Sequence, residues 1–292
     1  MPEPREGAAD LSDLRVIVTG ARGFIGTHTM TALKLAGADP ISFQGDVRDA
    51  ASWSERFDVV IHLAAALPSV FRSHPDEGYT TNVTGTLNAL EACSRYGATM
   101  VFASTCGVYD ASLEGELSES SPVRPGSPYA VTKRIGEMLC ESYASDERMT
   151  AVALRLFNVF GPGQSNDFLI PYLVASAVSG PSPTVYHPES ARDFVHADDV
   201  ARAFVAAAES RRSGIYNVGT GVATTVREVL QAIEHEISEP LVWQQGQTSG
   251  DAQPTVRAKI ARSAKELGWS PCVTWREGLV RQIEKARVLG GG

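Results

Sequence analysis

No stretch of this chain is apolar over anything like the ~20 residues that cross a bilayer, so a membrane partner is not expected. Cysteine is scarce. Cys93, Cys106, Cys140 and Cys272 form no CxxC pair, and no histidine stands at metal-ligand spacing from them. That pattern fits reduced thiols in a cytoplasmic protein and argues against a disulfide framework or a metal centre. Positive charge is also short, with 26 Lys and Arg against 34 Asp and Glu and a net charge of -8. Nucleic acid and anionic membrane surfaces are therefore poor partners, and any bound anion must be held by a few local groups. Internal repeats and low-complexity linkers are missing. The opening Met1–Asp13 is polar and acidic without an apolar signal core, so it reads as a loose tail.

What is present is an ordinary globular composition of 292 residues, 43% hydrophobic. A chain of this length buries roughly 75% of its unfolded surface, enough for a large core. Apolar β-rich runs at Leu14–Thr19, Pro40–Gln44, Asp58–Leu63, Thr99–Ser104 and Thr150–Phe157 alternate with helical patterns at Phe24–Ala36, Asp76–Tyr96 and Pro128–Tyr143. Such alternation predicts an α/β fold, a doubly wound Rossmann-type parallel sheet covered on both faces. Ligands bind such sheets at the carboxyl ends of the strands. After Phe157 glycine and proline thicken and the elements shorten. The expected division is a dinucleotide-binding domain over 14–157 plus about 190–218, and a smaller substrate-binding lobe over about 158–189 and 219–292. The piece Asp193–Val218 is read as a return to the main sheet.

Thr19-Gly20-Ala21-Arg22-Gly23-Phe24-Ile25-Gly26 joins the first strand to the first helix. Gly20 permits the tight turn, Gly23 a close approach of backbone to a pyrophosphate, and Gly26 close packing of helix on strand. Phe24 and Ile25 carry the first helical amides, which face the phosphates. The second strand ends Ser42-Phe43-Gln44, without the acidic residue that suits an NAD ribose, while Arg22 can reach a 2′-phosphate. The balance favours NADPH over NADH. Asp46, followed by Val47, stands where the adenine edge would lie.

Tyr129 and Lys133 are four apart at the start of a helix and share a face. A phenol titrates near ~10, and a neighbouring ammonium is expected to bring it toward a working range as a general acid or base. Ser104 and Thr105 close the preceding strand at the carboxyl edge of the sheet, where a hydroxyl orients a substrate carbonyl.

These pieces together are similar to the extended short-chain dehydrogenase/reductase family of nucleotide-sugar epimerases, dehydratases and reductases. The matching segments are Thr19–Gly26, His62–Ala65, Asn82–Thr86, Ser104–Tyr109, Pro128–Lys133, Arg155–Gln164, Arg192–His196, Tyr216–Gly219 and Glu266–Trp269. The resemblance implies Thr105 as the residue that holds the substrate hydroxyl, Tyr129 as proton donor or acceptor and Lys133 as its partner. It implies cofactor contacts from Leu63, Ala64, Ala65 and Asn82. Asn158 and Arg192 would face the substrate diphosphate, and a homodimer would form by pairing Asp76–Tyr96 and Pro128–Tyr143 in a four-helix bundle.

Departures from the family pattern narrow the chemistry. Dehydratases typically carry Asp-Glu after the threonine, and this chain has Cys106-Gly107. Dehydration therefore lacks its extra acid and base, leaving one hydride and one proton at one carbon. The short run after the second strand resembles reductases of nucleotide-bound 4-keto-6-deoxyhexoses. A 4-epimerase with tightly held NAD and a catalytically silent nucleotide-binding protein are the rival readings. Where many epimerases have Arg-Pro-Gly-Asp, this chain reads Thr248-Ser249-Gly250-Asp251, and Lys259 or Arg257 is expected to replace the lost charge. His62, in a strand interior, is read as a satisfied core histidine.

Overall fold

A computed structural model describes residues 10–145, 149–247 and 254–290. Its first half runs β1 (Val16–Thr19), α1 (Phe24–Leu35), β2 (Ile41–Ser42), β3 (Val59–His62), α2 (Pro68–Ser73), α3 (Pro75–Tyr79), α4 (Gly85–Tyr96), β4 (Thr99–Thr105), β5 (Gly115–Leu117) and α5 (Pro128–Ser145). The second half runs β6 (Thr150–Leu156), β7 (Asn158–Phe160), α6 (Leu169–Ser179), β8 (Thr184–Val185), β9 (Ala191–His196), α7 (Ala197–Ser210), β10 (Gly214–Val218), β11 (Ala223–Thr225), α8 (Val226–Ile237), β12 (Gln244–Gln245), β13 (Val256–Ala258) and α9 (Trp275–Gly290).

The period of two in the strands decides which residues meet which helices. Val16 and Val18, Val59 and Ile61, and Val101 and Ala103 face one way, against Leu33 of α1 and Val200, Phe204 and Ala207 of α7. Ile17, Val60, Met100 and Phe102 face the other way, against Ala89, Leu90 and Cys93 of α4 and Cys140 of α5. A strand apolar on both faces has to lie between two helical layers, and that is what a continuous apolar run encodes. The main sheet is wholly parallel in the order β2-β1-β3-β4-β6-β10. The strand order reverses between β1 and β3, which opens a crevice at their carboxyl ends. Only Phe43–Asp58 separates β2 from β3, and among the described residues no further strand extends the sheet beyond β2. This is the structural form of the short run noted in the sequence.

A second sheet, β11-β9-β13-β5 with β7 on β9, caps the carboxyl end. Around it α6, α8 and α9 enclose a separate core of Phe160, Ile170, Leu173, Val229, Leu230, Ile233, Leu279 and Ile283. Two expectations change here. The strand Ala191–His196 does not rejoin the main sheet; it pairs with β11, β13 and β7, and only α7 and β10 return. The opening segment is not loose throughout, because Leu11 is 1% exposed within the first core cluster. Residues 1–9 of the expected tail lie outside the described residues. No described helix is long and apolar enough to cross a membrane.

Candidate active site

The glycine turn has the shape a dinucleotide needs. Gly20 sits at φ +66°, and a Cβ there would lie 2.9 Å from the Ala64 nitrogen. A Cβ on Gly26 would fall 2.1 Å from the Gly20 carbonyl oxygen, so the helix closes on the strand only with hydrogen at that position. Gly23 is the N-cap of α1 and is solvent-exposed; a Cβ on it would meet only the Gly20 oxygen, at 3.2 Å. Its bare backbone and the first amides of α1 form a concave edge suited to an anion. No acidic residue occupies the first turn of α1.

Across the crevice, the Thr19 hydroxyl accepts the amides of both Leu63 and Ala64, each at 3.1 Å. Its own proton then goes to His62 Nδ1, 3.0 Å away, which leaves His62 Nε2–H to donate to Thr86 at 3.3 Å. His62 is thus a neutral, fully employed core histidine, and burial together with Lys133 pushes its pKa down to about 3. Its work is to fix the backbone of Leu63 and Ala64 beside Gly20. Leu63, Ala64 and Ala65 remain partly exposed along the crevice.

Thr105 ends β4, and its hydroxyl accepts the Gly107 amide at 3.1 Å. Tyr129 lies on the first turn of α5, its ring edge-on to Phe71 with 6.4 Å between centroids. The Lys133 ammonium lies 5.7 Å from the Tyr129 ring centroid and 4.9 Å from that of Phe102. The structure therefore brings the three expected catalytic residues to one end of β4 and α5. It does not give the expected acidification of the phenol. Burial, with Cys106 adding to it, pushes Tyr129 up to about 12, and burial pushes Lys133 down to about 8. The ammonium faces aromatic rings, and desolvation outweighs its attraction for a phenolate. Tyr129 in this state is a neutral phenol, a proton donor. The Cys106 thiol is pushed up to about 12 by burial and then by Asp193, so at neutral pH it is an uncharged neighbour.

Several expected site residues are employed elsewhere. Ser104 points away from Thr105, as alternation along a strand requires; its hydroxyl donates to the buried Glu137 at 2.6 Å and is not offered to a substrate. Asn82 accepts the Ala66 amide at 2.7 Å and donates to the Ala66 carbonyl and to Thr132. It braces the crevice wall to the first turn of α5 instead of facing the cofactor. The Val47 side chain is buried in the core, and its carbonyl is taken by Trp53 and Asn88. Asp46 is exposed and clasped by Arg48 through both carboxylate oxygens. Arg22 is exposed within the glycine turn, flanked by the half-buried Phe24 and Ile25.

In the second lobe Arg192 lines a cavity of about 580 Å³ with Phe168, Tyr172, Tyr186 and His187. Asn158 donates to the Asp193 carbonyl at 3.4 Å. Lys259 is a correction. It is exposed and paired to Glu116 at 3.7 Å, and the register of β13 sets Arg192 opposite Val256, on the other face from Arg257 and Lys259. The four residues Thr248–Asp251 lie outside the described residues.

Three buried carboxylates, Asp193, Glu137 and Asp199, escaped the sequence reading. Asp193 accepts from Thr220 N and Oγ1 and from the amides of Gly221 and Ala258, which pins three segments of the second lobe. Glu137, four residues after Lys133, accepts from Ser104, Arg134 and twice from Arg155. The i, i+4 spacing from Lys133 was the available signal. No group of three or more metal-ligating side chains occurs among the described residues.

The family model described as "NAD dependent epimerase/dehydratase family" matches residues 16–219. A dTDP-D-glucose 4,6-dehydratase of Mus musculus is 28% identical, over 97% of this chain and 91% of its own. UDP-glucose 4-epimerase 1 of Oryza sativa subsp. japonica is 32% identical, over 87% and 89%. The solved structure of MoeE5 with UDP-glucose and NAD superposes with a TM-score of 0.85 at 32% identity, covering 94% of this chain and 99% of that one. RMD from Pseudomonas aeruginosa, complexed with NADPH, matches with a TM-score of 0.85 at 27% identity over the same shares.

Proposed function

The chain belongs to the NAD-dependent epimerase/dehydratase family, and on that basis we propose that it is an NAD(P)H-dependent reductase acting at C4 of a nucleotide-diphosphate 4-keto-6-deoxysugar. The observation that carries the reading is the grouping of Thr105 at the end of β4 with Tyr129 and Lys133 on α5, with Cys106 and Gly107 where an acid–base pair would serve dehydration. A bound nicotinamide supplies the hydride. Thr105 would hold the carbonyl oxygen, Tyr129 would deliver its proton to that oxygen, and Lys133 would hold the ribose of a bound cofactor. Much of the rate comes from holding the reacting atoms in contact distance. The cavity beside Arg192 takes the nucleotide end, with Asn158 nearby.

The second reading is a 4-epimerase, favoured by the 32% identity to the rice enzyme. It uses the same three residues but keeps its NAD through a full cycle. Denaturing the purified protein and quantifying released cofactor separates the two. A site that arrives empty and binds NADPH or NADH reversibly supports the reductase; near-stoichiometric NAD supports the epimerase and sinks the first reading.

NADPH is the proposed cofactor. Asp46, the acid nearest the β2 tip, is already clasped by Arg48, while Arg22 stays exposed beside Gly23. Arg22→Ala is expected to weaken NADPH about tenfold or more, the worth of one charge-assisted hydrogen bond, and to leave NADH almost unchanged. Fluorescence titration with both nucleotides checks this, and equal losses refute it. The exposed Tyr79, Leu87 and Met138 on α3, α4 and α5 suit the proposed homodimer. The four free cysteines suit a reducing cytoplasm.

A further inference from the structure

His28 stands two residues beyond Gly26, on the helix that opens from the glycine turn. Its Nδ1 lies 2.6 Å from Asp198 Oδ1, and its Nε2 lies 2.9 Å from the carbonyl oxygen of Pro162. A carbonyl has no proton to give, and neither has a carboxylate at neutral pH. A neutral imidazole carries one N–H and can serve only one of these partners. Both contacts together require both ring nitrogens protonated.

The surroundings sustain that charge. Asp198 opens α7, and its second oxygen accepts from Arg281 of α9 at 3.0 Å. His196 of β9 lies 6.3 Å away between ring centroids, but its Nδ1 accepts the Asp198 amide at 3.2 Å, so it is the neutral member of the pair. Burial is the main force pulling His196 down. Asp199, next in α7, faces Arg202 and the amides of Cys272 and Val273. Burial alone would pull His28 down as well, but the hydrogen bond to Asp198, followed by that to Pro162, outweighs it and holds His28 above its ordinary value. Asp198 is correspondingly held low, first by His28.

We propose that His28 is a positioning residue whose imidazolium ties the cofactor-side helix α1 to the Gly161-Pro162-Gly163 loop of the second lobe. The tie spans four elements, α1, the 161–163 loop, α7 and α9, and it holds only while the ring keeps its second proton. That the two sides bind cofactor and substrate rests on the reading above; the tie itself does not. The sign follows from a folded-state pKa above the unfolded one. The contribution is complete below about 6.5, the unfolded value, and is lost as pH rises through the higher folded value.

The test uses the full-length protein without turnover, so it stands apart from the assignment of the reaction. Histidine-labelled protein observed by nitrogen NMR should show both His28 nitrogens protonated at pH 7, with Asp198→Asn lowering the transition. Hydrogen exchange at Gly163 and Gln164, corrected for intrinsic rates, should rise about tenfold between pH 6.5 and 9 in the wild type, one charge-assisted hydrogen bond being lost. His28→Asn cannot titrate and should give a flat profile; if it does not fold, Asp198→Asn should flatten the profile instead. A singly protonated His28 at pH 7, or wild type and variant losing protection in parallel, overturns the proposal.

Discussion

Tyr129→Phe is expected to lower turnover by ~10²–10⁴-fold, the usual worth of a positioned proton donor, while leaving affinity for NADPH within about twofold. The ring stays, so its edge contact with Phe71 and its place over Lys133 are retained. Only the proton is removed. Because Tyr129 is held near 12, it keeps that proton throughout the neutral range. Loss of the phenol proton therefore should not shape the pH–rate profile between 6 and 9. Lys133 should shape it instead. Its pKa is pushed down to about 8, so its charge is lost as pH rises through that value, and cofactor affinity should weaken on the alkaline side. Initial rates with a nucleotide 4-ketosugar, set beside nucleotide binding measured at pH 7 and 9, check both statements. A Phe variant with more than about a tenth of wild-type turnover is incompatible with a proton donated by Tyr129.

The parts of this site that could be read from sequence are those whose geometry is local. A glycine turn between a strand and a helix, or a tyrosine and lysine one helical turn apart, has its shape set by neighbours in the chain. Gly20, Gly26, Tyr129 and Lys133 accordingly lie where the spacing puts them. The same local rule could have separated Ser104 from Thr105. Adjacent strand residues face opposite sides, so a single hydroxyl can face the crevice, and Ser104 is the one turned toward Glu137.

What stayed hidden depends on partners distant in sequence. Burial in β9 reads like a strand of any sheet; only the pairings with β13 and β7 assign it to the second lobe. Lys259 looked like a replacement clamp because nothing in the sequence reports the register that places it beside Glu116. Leu11 is one apolar residue in a polar stretch, without a period to mark it. The expected lowering of the Tyr129 pKa went wrong for a related reason. Spacing shows that an ammonium is near, but desolvation depends on everything else around the phenol, and here it dominates.

Glu137 is the largest omission, and it sets the largest expected effect on stability. A glutamate in an amphipathic helix ordinarily reads as solvated, yet Glu137 is 0% exposed and Arg155, its partner from β6, 2%. Arg155 donates to both carboxylate oxygens, at 2.8 and 2.9 Å, and to the Glu119 carbonyl, while its guanidinium lies 4.7 Å from the Tyr109 ring centroid. Burial acts against the charge of Arg155, and the hydrogen bonds to Glu137 more than restore it. A buried pair of this kind adds little against a well-packed apolar alternative, but removing one member leaves a charge without its partner. Arg155→Met should therefore cost ~3–5 kcal/mol of unfolding free energy, a large part of the ~5–15 kcal/mol available to a folded domain. The double variant Glu137→Met with Arg155→Met should lose much less than the sum of the singles, since no charge is left stranded. Urea unfolding of the two singles and the double gives the coupling directly. Additive losses would mean that the two side chains act independently, and that β6 is held to α5 by apolar packing instead of by this pair.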